Sequence, residues 1–390
     1  MLIHTVKNGE TLYSIARRYS VPATKLLADN DIDGDRLTVG DEVLVLIPTR
    51  TVTVRAGETK ASIAKRFSVR EDTLMTNNPQ LALQERLLPG QILTVKQQTP
   101  SLGAGCAIGL YKKGCRRDNL ARALPFITYL TVQAGRLTDN GIFLGFDPKF
   151  AHAEAVFHGK VPLLGITDET GGEFLKSKES YTAVIDSAIK LSGKLDMKGI
   201  YISARAASER YPDEFCEFLM CARKKFIGCD LILFTEIFQN TPTDASEISD
   251  GAVLVTTDND TEETACELYR FSEAAESSKV FVSVTGCARF FNDTIDIKEA
   301  KALCYRSGNA ITTNKKSLIS EFEYTRYKVG LGERTTVSFP SLSYTKAKLG
   351  RLAEFGFMGI SVDIKDLCIS QLCMFGALFK RADYTMPHDI

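Results

Sequence analysis

The sequence has no tryptophan, no excess of charge of either sign and no long apolar run. Lysine plus arginine and aspartate plus glutamate both number 48, so the formal net charge is zero. This balance argues against a protein that holds nucleic acid by bulk positive charge. No window reaches the run of about 20 apolar residues that a membrane-spanning helix requires. We therefore expect no nucleic-acid partner and no membrane span.

The first seven residues contain no basic segment, apolar core or cleavage site of a secretory signal. We expect no signal peptide and synthesis in the cytoplasm. All ten cysteines lie at or after Cys106, and no pair has the C-x-x-C spacing of zinc and redox sites. Reduced thiols in a cytosolic protein are the expectation, and cross-linking in an oxidising coat is the alternative. We expect neither a metal site nor a cofactor.

The first hundred residues contain one pattern twice, with an offset of 48 positions. Residues 6–21, VKNGETLYSIARRYSV, return as residues 54–69, VRAGETKASIAKRFSV. In each copy a glycine turn precedes Thr11 or Thr59, whose side-chain oxygen can cap the helix that follows. Apolar residues at helical spacing come next, and a second helix, a turn and a closing strand complete the unit. The pattern predicts two βααβ domains, at residues 1–48 and 50–97.

Both copies resemble the LysM domain, which binds glycans that contain N-acetylglucosamine, such as peptidoglycan and chitin. The resemblance implies a groove between the first strand–helix loop and the loop after the second helix. Copy two departs at Lys60, where an apolar residue is usual. The alternative is that both copies serve only packing or protein contact. The implied groove residues are Gly9, Glu10, Thr11, Leu12, Asn30 and Ile32 in copy one and Gly57, Glu58, Thr59, Lys60, Asn78 and Pro79 in copy two.

Residues 98–105 have the polar, Pro- and Gly-containing composition of a linker. From residue 106 to 390, short apolar runs alternate with longer amphipathic segments. This alternation predicts an α/β fold, the (β/α)8 TIM barrel. Period-two alternation between about residues 308 and 343 predicts a small inserted α+β hairpin region. The predicted strands are Cys106–Leu110, Phe126–Val132, Val161–Ile166, Gly199–Ser203, Leu231–Phe234, Gly251–Thr256, Val280–Thr285 and Gly359–Val362. The predicted helices are Arg117–Leu124, Pro148–Phe157, Tyr181–Leu191, Asp213–Phe226, Glu262–Ser278, Ile297–Tyr305 and Tyr344–Phe355.

Functional residues of such barrels lie at the carboxyl ends of the strands. The segments ITYL at 127–130, GGEF at 171–174, LVTTD at 254–258 and GFMGI at 356–360 resemble the family 18 glycoside hydrolases. The LysM copies in front of the barrel make the chain similar to spore-associated N-acetylglucosaminidases that act on cortex fragments. The resemblance implies deposition on the spore surface or coat, with peptidoglycan as the binding partner.

The family carries D-x-x-D-x-D-x-E on the fourth strand, where the Glu is the general acid and the preceding Asp orients the substrate acetamide. In this chain the four positions are Lys198, Tyr201, Ser203 and Arg205, and none is acidic. Arginine does not release a proton near neutrality. Strand alternation predicts that Tyr201, Ser203 and Arg205 share the face toward the barrel mouth. The tryptophan usual on strand eight is absent as well.

Three hypotheses follow from these residues. The first is a glycan-binding protein whose barrel is catalytically inactive. The second is a working N-acetylglucosaminidase with a relocated acid, for which the candidates are Glu209, Glu236, and Asp258 together with Asp363. The third is a structural or interaction protein in which the LysM copies have also lost glycan binding, such as a coat component that contacts spore-coat proteins.

Overall fold

The computed structural model describes residues 1–34, 36–97, 102–139, 141–239, 241–242, 244–328 and 331–381. Half of the predicted linker, residues 98–101, and the end of the predicted barrel, residues 382–390, therefore lie outside the described residues. Within these ranges, no helix combines the length and the apolar character that crossing a bilayer demands.

The first repeat forms the predicted βααβ unit. Thr11 caps α1 by accepting a hydrogen bond from the Ser14 amide, and the Ser14 side chain accepts one from the Thr11 amide. This reciprocal capping satisfies amides that a helix start would otherwise leave unpaired. Antiparallel pairing of the outer strands closes the unit. Its elements are β1 (Leu2–Thr5), α1 (Leu12–Tyr19), α2 (Ala23–Asn30) and β2 (Glu42–Val45).

The second repeat follows the same plan. Thr59 and Ser62 form the same reciprocal cap at the start of its first helix. A short 3₁₀ helix, Pro79–Leu83, follows its second helix. Its elements are β3 (Pro48–Thr53), α3 (Lys60–Arg66), α4 (Glu71–Thr76) and β4 (Ile92–Gln97).

Strands and helices alternate through the remainder of the chain. Two short 3₁₀ helices, Glu173–Lys176 and Ser277–Lys279, lie in its loops. The strands are β5 (Ala104–Tyr111), β6 (Tyr129–Thr138), β7 (Gly141–Leu144), β8 (Val161–Asp168), β9 (Gly199–Ser203), β10 (Ile232–Ile237), β11 (Gly251–Leu254), β12 (Val280–Val284), β13 (Cys287–Phe290), β14 (Asp293–Asp296), β15 (Thr312–Thr313), β16 (Ile319–Lys328), β17 (Leu331–Pro340), β18 (Gly359–Asp363) and β19 (Lys380–Arg381). The helices are α5 (Arg117–Ala123), α6 (Lys149–Phe157), α7 (Lys178–Leu195), α8 (Arg205–Arg210), α9 (Pro212–Ile227), α10 (Asp244–Ile248), α11 (Thr261–Ala274), α12 (Ile297–Ser307), α13 (Leu342–Glu354) and α14 (Ile369–Leu378).

Eight of these strands form a closed parallel barrel, which confirms the predicted fold. The order around it is β5, β6, β8, β9, β10, β11, β12 and β18, and β18 pairs with β5 to close the ring. β5 begins at Ala104, inside the predicted linker. β6 begins at Tyr129 rather than at Phe126, because the chain from Phe126 to Thr128 leads out of α5 before strand pairing starts.

The barrel interior is a packed aromatic and aliphatic core. Tyr129, Tyr201, Phe234 and Phe281 meet there with ring centroids 5.0 to 6.0 Å apart along the Tyr129–Phe234–Phe281 contacts. The outward faces of the same strands pack against the surrounding helices in a larger apolar core. This arrangement leaves room for a ligand only above the interior core, at the carboxyl ends of the strands.

The insertion is larger than its sequence pattern predicts. It begins at Cys287 rather than at about residue 308, and it forms the five-stranded sheet β14–β13–β17–β16–β15. Helix α12 was predicted as part of the barrel's helical layer. Its apolar face, which includes Ile297, Ala300 and Cys304, packs on this sheet instead. A helical period shows that one face is buried, and it does not show which partner covers it.

The first repeat is continuous with the barrel. Leu44 and Leu46, on the outer face of its sheet, belong to the same apolar core as the barrel helices. Asp41 forms an ion pair of 2.8 Å with Lys301 of α12. Glu42 accepts hydrogen bonds from the Ser343 amide and hydroxyl at 2.7 and 2.6 Å. These contacts fix the repeat to both the barrel and the insertion.

One carboxylate of the second repeat forms ion pairs beside the barrel. Asp72 pairs with Lys160 at 2.9 Å and also with Arg381. The Lys160 side chain is fully buried, and this burial lowers the pKa of its ammonium group to about 8. The outer strand β4 leaves Ile92 half-exposed, whereas β2 of the first repeat is buried throughout. The two repeats therefore differ in how far the barrel covers them.

We predict that alanine at Gly40 destabilises the junction between the first repeat and the insertion. A Cβ at Gly40 would lie 1.8 Å from the carbonyl oxygen of Ile311. The equivalent Gly90 of the second repeat has a nearly identical φ, +86° against +84°, and nothing within 4 Å of an added Cβ. Both substitutions cost about 1 kcal/mol of backbone strain. Only Gly40→Ala adds overpacking of about 1–3 kcal/mol.

Melting temperatures of Gly40→Ala and Gly90→Ala, together with amide hydrogen exchange in α12, test this prediction. We expect the lower melting temperature and the faster exchange in Gly40→Ala. Equal losses in the two variants would contradict the proposed close approach.

We predict that Asp29 makes stability depend on pH in mildly acidic solution. Lys25 and Asp29 form a buried ion pair of 2.8 Å, and Lys25 also donates to the Asn77 carbonyl of the second repeat at 3.0 Å. Burial raises the pKa of the Asp29 carboxyl to about 6. The folded chain therefore favours the protonated form, so this contribution is present below about pH 4 and is lost as pH rises through about 6.

Calorimetric melting temperatures between pH 4 and 6.5 provide the measurement. Asp29→Asn should show a flatter pH profile than the wild type because asparagine does not ionise. Asp33→Asn removes a carboxylate whose side chain is 63% exposed, and it should keep the wild-type profile. A profile of Asp29→Asn parallel to that of the wild type would disprove the assignment.

Candidate functional site

A cleft of about 600 Å³ opens at the carboxyl ends of the barrel strands. Side chains from strand ends and from the loops that follow them line it, including residues 286 and 287 at the start of the insertion. Its surface is mixed, with hydroxyl, carboxylate and basic groups beside Phe146 and Phe238. The cleft lies where the barrel fold predicts a functional site.

Strand alternation decides which residues reach this cleft. Tyr201 on β9 and Phe234 on β10 point into the barrel core. Ser203 and Glu236 lie two residues further along the same strands, so they point inward at the next level, and both line the cleft. Because Phe234 is the register partner of Tyr201, Ser203 and Glu236 lie side by side.

Glu236 is the central carboxylate of the cleft floor. Its Oε1 accepts a hydrogen bond of 2.9 Å from the Tyr201 hydroxyl, and its Oε2 accepts one of 2.6 Å from Ser203. Burial raises the pKa of the Glu236 carboxyl, and the hydrogen bonds from Ser203 and Tyr201 oppose this rise. Two of the positions that the resemblance assigns to acids therefore carry donors that orient an acid from the neighbouring strand.

A second carboxylate, Asp363, lines the same cleft from β18. It forms an ion pair of 2.7 Å with Lys112, which follows β5. Lys112 also attracts Glu236 electrostatically, and it therefore connects the two acids. The sequence analysis missed Lys112, although it lies two residues after the inward-facing Leu110 and the same alternation would have identified it.

The other two degenerate positions lie outside the cleft. Lys198 precedes β9 and pairs with Asp196 at an exposed site. Arg205 was predicted to share the mouth-facing side of a strand, and this prediction was wrong. The strand ends at Ser203, and Arg205 begins α8, where it pairs with Glu209 at 2.9 Å and lies over the Phe238 ring. Glu209, its partner on α8, therefore also lies outside the cleft floor.

Asp258 is buried behind the cleft in an ion pair with Lys348 of α13. The Tyr344 hydroxyl donates to the same carboxylate at 2.9 Å, and the Thr256 hydroxyl donates at 3.0 Å. Asp258 lines a separate side pocket of about 200 Å³ beneath the insertion. The two candidate acids therefore do not act as a pair. Asp363 is bound to Lys112 in the cleft, and Asp258 is bound to Lys348 beside the side pocket.

In the first repeat, the predicted groove residues have mixed roles. Gly9 and Thr11 are exposed in the strand–helix loop, whereas Leu12 is buried in the domain core. Glu10 forms ion pairs with His4 and Arg18 at 2.7 and 2.6 Å. A hydrogen bond from the Lys7 amide, followed by the bond to His4, lowers the pKa of Glu10 to about 2.

The side chains of Asn30 and Asn78 form hydrogen bonds within their own domains. The Asn30 amide group donates to the carbonyls of Leu26 and Leu44, and its oxygen accepts from the Leu44 amide. Asn78 makes the equivalent three bonds to Leu74 and Thr94. Each side chain ties its second helix to its closing strand, which leaves little capacity for a glycan. Ile32 and Pro79 complete the same loops, Ile32 half-buried against the domain core and Pro79 buried.

The groove of the second repeat is bridged by Lys60. Gly57 and Thr59 are exposed at one rim, and Glu58 pairs with Arg66 at 2.5 Å. Lys60 follows this rim, and its Nζ donates to the Leu81 carbonyl at the opposite rim at 2.7 Å. Burial lowers the pKa of the Lys60 ammonium group. A glycan bound in the groove that the resemblance implies would have to displace the Lys60 side chain.

Across the described parts of the chain, no three His, Cys, Asp or Glu side chains are grouped as ligands for a metal ion. Three of the acids that line the cleft pair instead with lysine, arginine and hydroxyl groups: Glu236, Asp363 and Glu169.

Comparison with known families supports the repeat analysis. The model of the LysM domain matches residues 4–45 and 52–96. The chain carries two LysM domains. Both matches fall on the βααβ units, and each LysM domain therefore has its fold complete in the structure. No curated protein sequence matches the chain.

Solved structures share the overall fold at low sequence identity. The spore cortex-lytic enzyme SleL of Bacillus megaterium QM B1551 is 15% identical, with a TM-score of 0.74 over 98% of this chain and 99% of that chain. SleL of Bacillus cereus is 17% identical, with a TM-score of 0.75 over 98% of each chain. A chitinase from Chromobacterium violaceum ATCC 12472 is 13% identical, with a TM-score of 0.64 over 71% of this chain and 100% of that chain. These similarities establish the fold of the LysM–barrel arrangement.

We predict that Lys60→Met strengthens binding of N-acetylglucosamine oligomers to the second LysM domain. The substitution keeps an apolar stem and removes the hydrogen bond to Leu81 that a ligand must break. A neutral hydrogen-bond partner is worth about 0.5–1.5 kcal/mol, so we expect a gain of up to about tenfold in affinity.

Calorimetric titration of the full-length chain measures this effect. Lys65→Met, on the exposed side of the same helix, is the control and should leave the affinity unchanged. Weaker binding of Lys60→Met would show that Lys60 contacts the ligand rather than competing with it.

Proposed function

We propose that the protein attaches to N-acetylglucosamine-containing cell-wall glycan through its LysM domains and that its barrel binds glycan without hydrolysing it. The LysM matches support the first part. The full-length structural similarity to spore cortex-lytic enzymes supports spore peptidoglycan as the glycan. Association with the spore in particular, rather than with cell-wall glycan in general, is part of this proposal.

One observation supports the proposal that the barrel does not hydrolyse glycan. At the carboxyl end of β9, where the resemblance expects a general acid, the strand ends at Ser203 and the chain turns away with Arg205 outside the cleft. The two inward residues, Tyr201 and Ser203, donate to Glu236. Glu236 is thus held as a hydrogen-bond acceptor, while a general acid must present a proton to its substrate.

Three other acids, in the cleft or behind it, are held in ion pairs. Asp363 pairs with Lys112, and Glu169 pairs with Arg136 at 3.1 Å. Asp258 is buried with Lys348. Each of these carboxylates already has a cationic partner, so a substrate would have to compete with that partner for it.

A second candidate function, hydrolysis by a relocated acid, is favoured by one observation. Burial raises the pKa of Glu236, which is the direction that a general acid requires. Asp363 in the same cleft would be the second carboxylate that a two-carboxylate glycosidase uses.

Two measurements on the full-length chain separate the candidates. We expect the wild-type protein to sediment with insoluble spore peptidoglycan and to release no reducing ends from it or from N-acetylglucosamine oligomers. Turnover that Glu236→Gln abolishes, while Glu209→Gln retains it, would establish the relocated acid. Failure to sediment would favour the third hypothesis, an interaction protein that contacts spore-coat proteins.

A further inference from the structure

The cleft floor contains a buried hydroxyl that the protein leaves unpaired. Ser361 on β18 is 2% exposed and lines the cleft. Its neighbours in sequence, Ile360 and Val362, belong to the outer apolar core, so Ser361 faces inward by alternation. Ser361 Oγ has no hydrogen-bond partner among the residues that the structure describes. Buried polar groups in folded proteins almost always have a partner, and a ligand or a water molecule is therefore expected here.

Glu236 supplies a fixed acceptor in the same cleft. Its carboxylate accepts one hydrogen bond at each oxygen, from Tyr201 and from Ser203. An ionised carboxylate has about four lone-pair sites, so each oxygen can accept a further bond from the cleft side. The two donors hold the carboxylate in place, so that a ligand does not have to order it on binding.

Two ion pairs lie beside this floor, and Lys113 and Asp366 also line the cleft. Lys112 is bound to Asp363, and Arg136 is bound to Glu169. A charged ligand group would compete with these ion pairs. A neutral group that both donates and accepts hydrogen bonds would instead use the capacity that Glu236 and Ser361 leave open.

We propose that Glu236 and Ser361 form a subsite for one uncharged sugar residue of a bound glycan. Glu236 accepts from a ligand O–H or N–H, and Ser361 donates its hydroxyl to a ligand oxygen. No bond of the ligand is broken in this step. The proposal rests on the proposed function, because the glycan that enters the cleft is the one that the LysM domains retain.

A tryptophan reporter separates the cleft from the LysM grooves. The chain has no tryptophan. Phe146→Trp therefore introduces a single indole at the cleft wall, and its fluorescence reports cleft occupancy alone. The probe is the N-acetylglucosamine tetramer, titrated into the full-length reporter chain. Its fully deacetylated, cationic counterpart is the comparison.

We expect a saturable fluorescence change with the N-acetylated tetramer and weaker binding of the cationic one. In the reporter background, Ser361→Ala should weaken binding about tenfold and Glu236→Gln by about tenfold or more, since hydrogen bonds to charged groups are the stronger ones. Ser272→Ala and Glu209→Gln, which lie outside the cleft, are the matched controls and should change nothing. Without glycan, Ser361→Ala should melt at the wild-type temperature or above it, because it removes an unpaired buried hydroxyl.

Three outcomes would overturn the proposal. They are unchanged affinity in both Ser361→Ala and Glu236→Gln, tighter binding of the cationic tetramer, and the absence of any fluorescence change while the chain still sediments with peptidoglycan. The last result would leave the LysM-based function standing. Loss of sedimentation together with loss of the fluorescence signal would remove the proposed function as well.

Discussion

The strict alternation of side chains along eight closed strands is the constraint on which the cleft depends. Every second residue must point into the barrel, and the interior below the mouth is filled by large rings such as Tyr201 and Phe234. Only the inward residues near the carboxyl ends of the strands can reach a ligand. The choice of residue at these few positions, Ser203, Glu236 and Ser361 among them, therefore sets the chemistry of the whole domain.

These positions carry an array of hydrogen bonds where the family 18 resemblance implies a proton donor. A carboxylate remains at the centre, but it comes from β10 and is oriented by hydroxyls of β9. Asp258, which follows β11 and is the acid that the family 18 resemblance expects there, forms a buried ion pair with Lys348. A buried pair of this kind costs about 3–5 kcal/mol to break by removal of one partner. Asp258 is thus fixed as part of the protein's framework.

The sequence alone predicts the repeats, the barrel and most element boundaries, because local periodicity and capping residues such as Thr11 and Thr59 specify them. It identifies β9 as the altered strand. It does not predict that Arg205 starts a helix, since the alternation of apolar and polar residues continues through Ala204 without a break. It also does not pair Ser203 with Glu236, because contacts across neighbouring strands depend on register. The sequence also does not predict the contacts of Asn30, Lys60 and α12, because their partners are distant along the chain.

The apolar core that Leu44 and Leu46 share with the barrel has a mechanical consequence. A binding domain on a flexible linker allows the attached domain to take many positions around the point of binding. Here the first LysM domain and the cleft move as one rigid piece, with Asp41 and Glu42 bracing it. Once anchored, the cleft meets the polymer at a single distance and a single angle. In the proposed function, the spacing between neighbouring glycan strands, rather than their local concentration, then decides whether the cleft is filled.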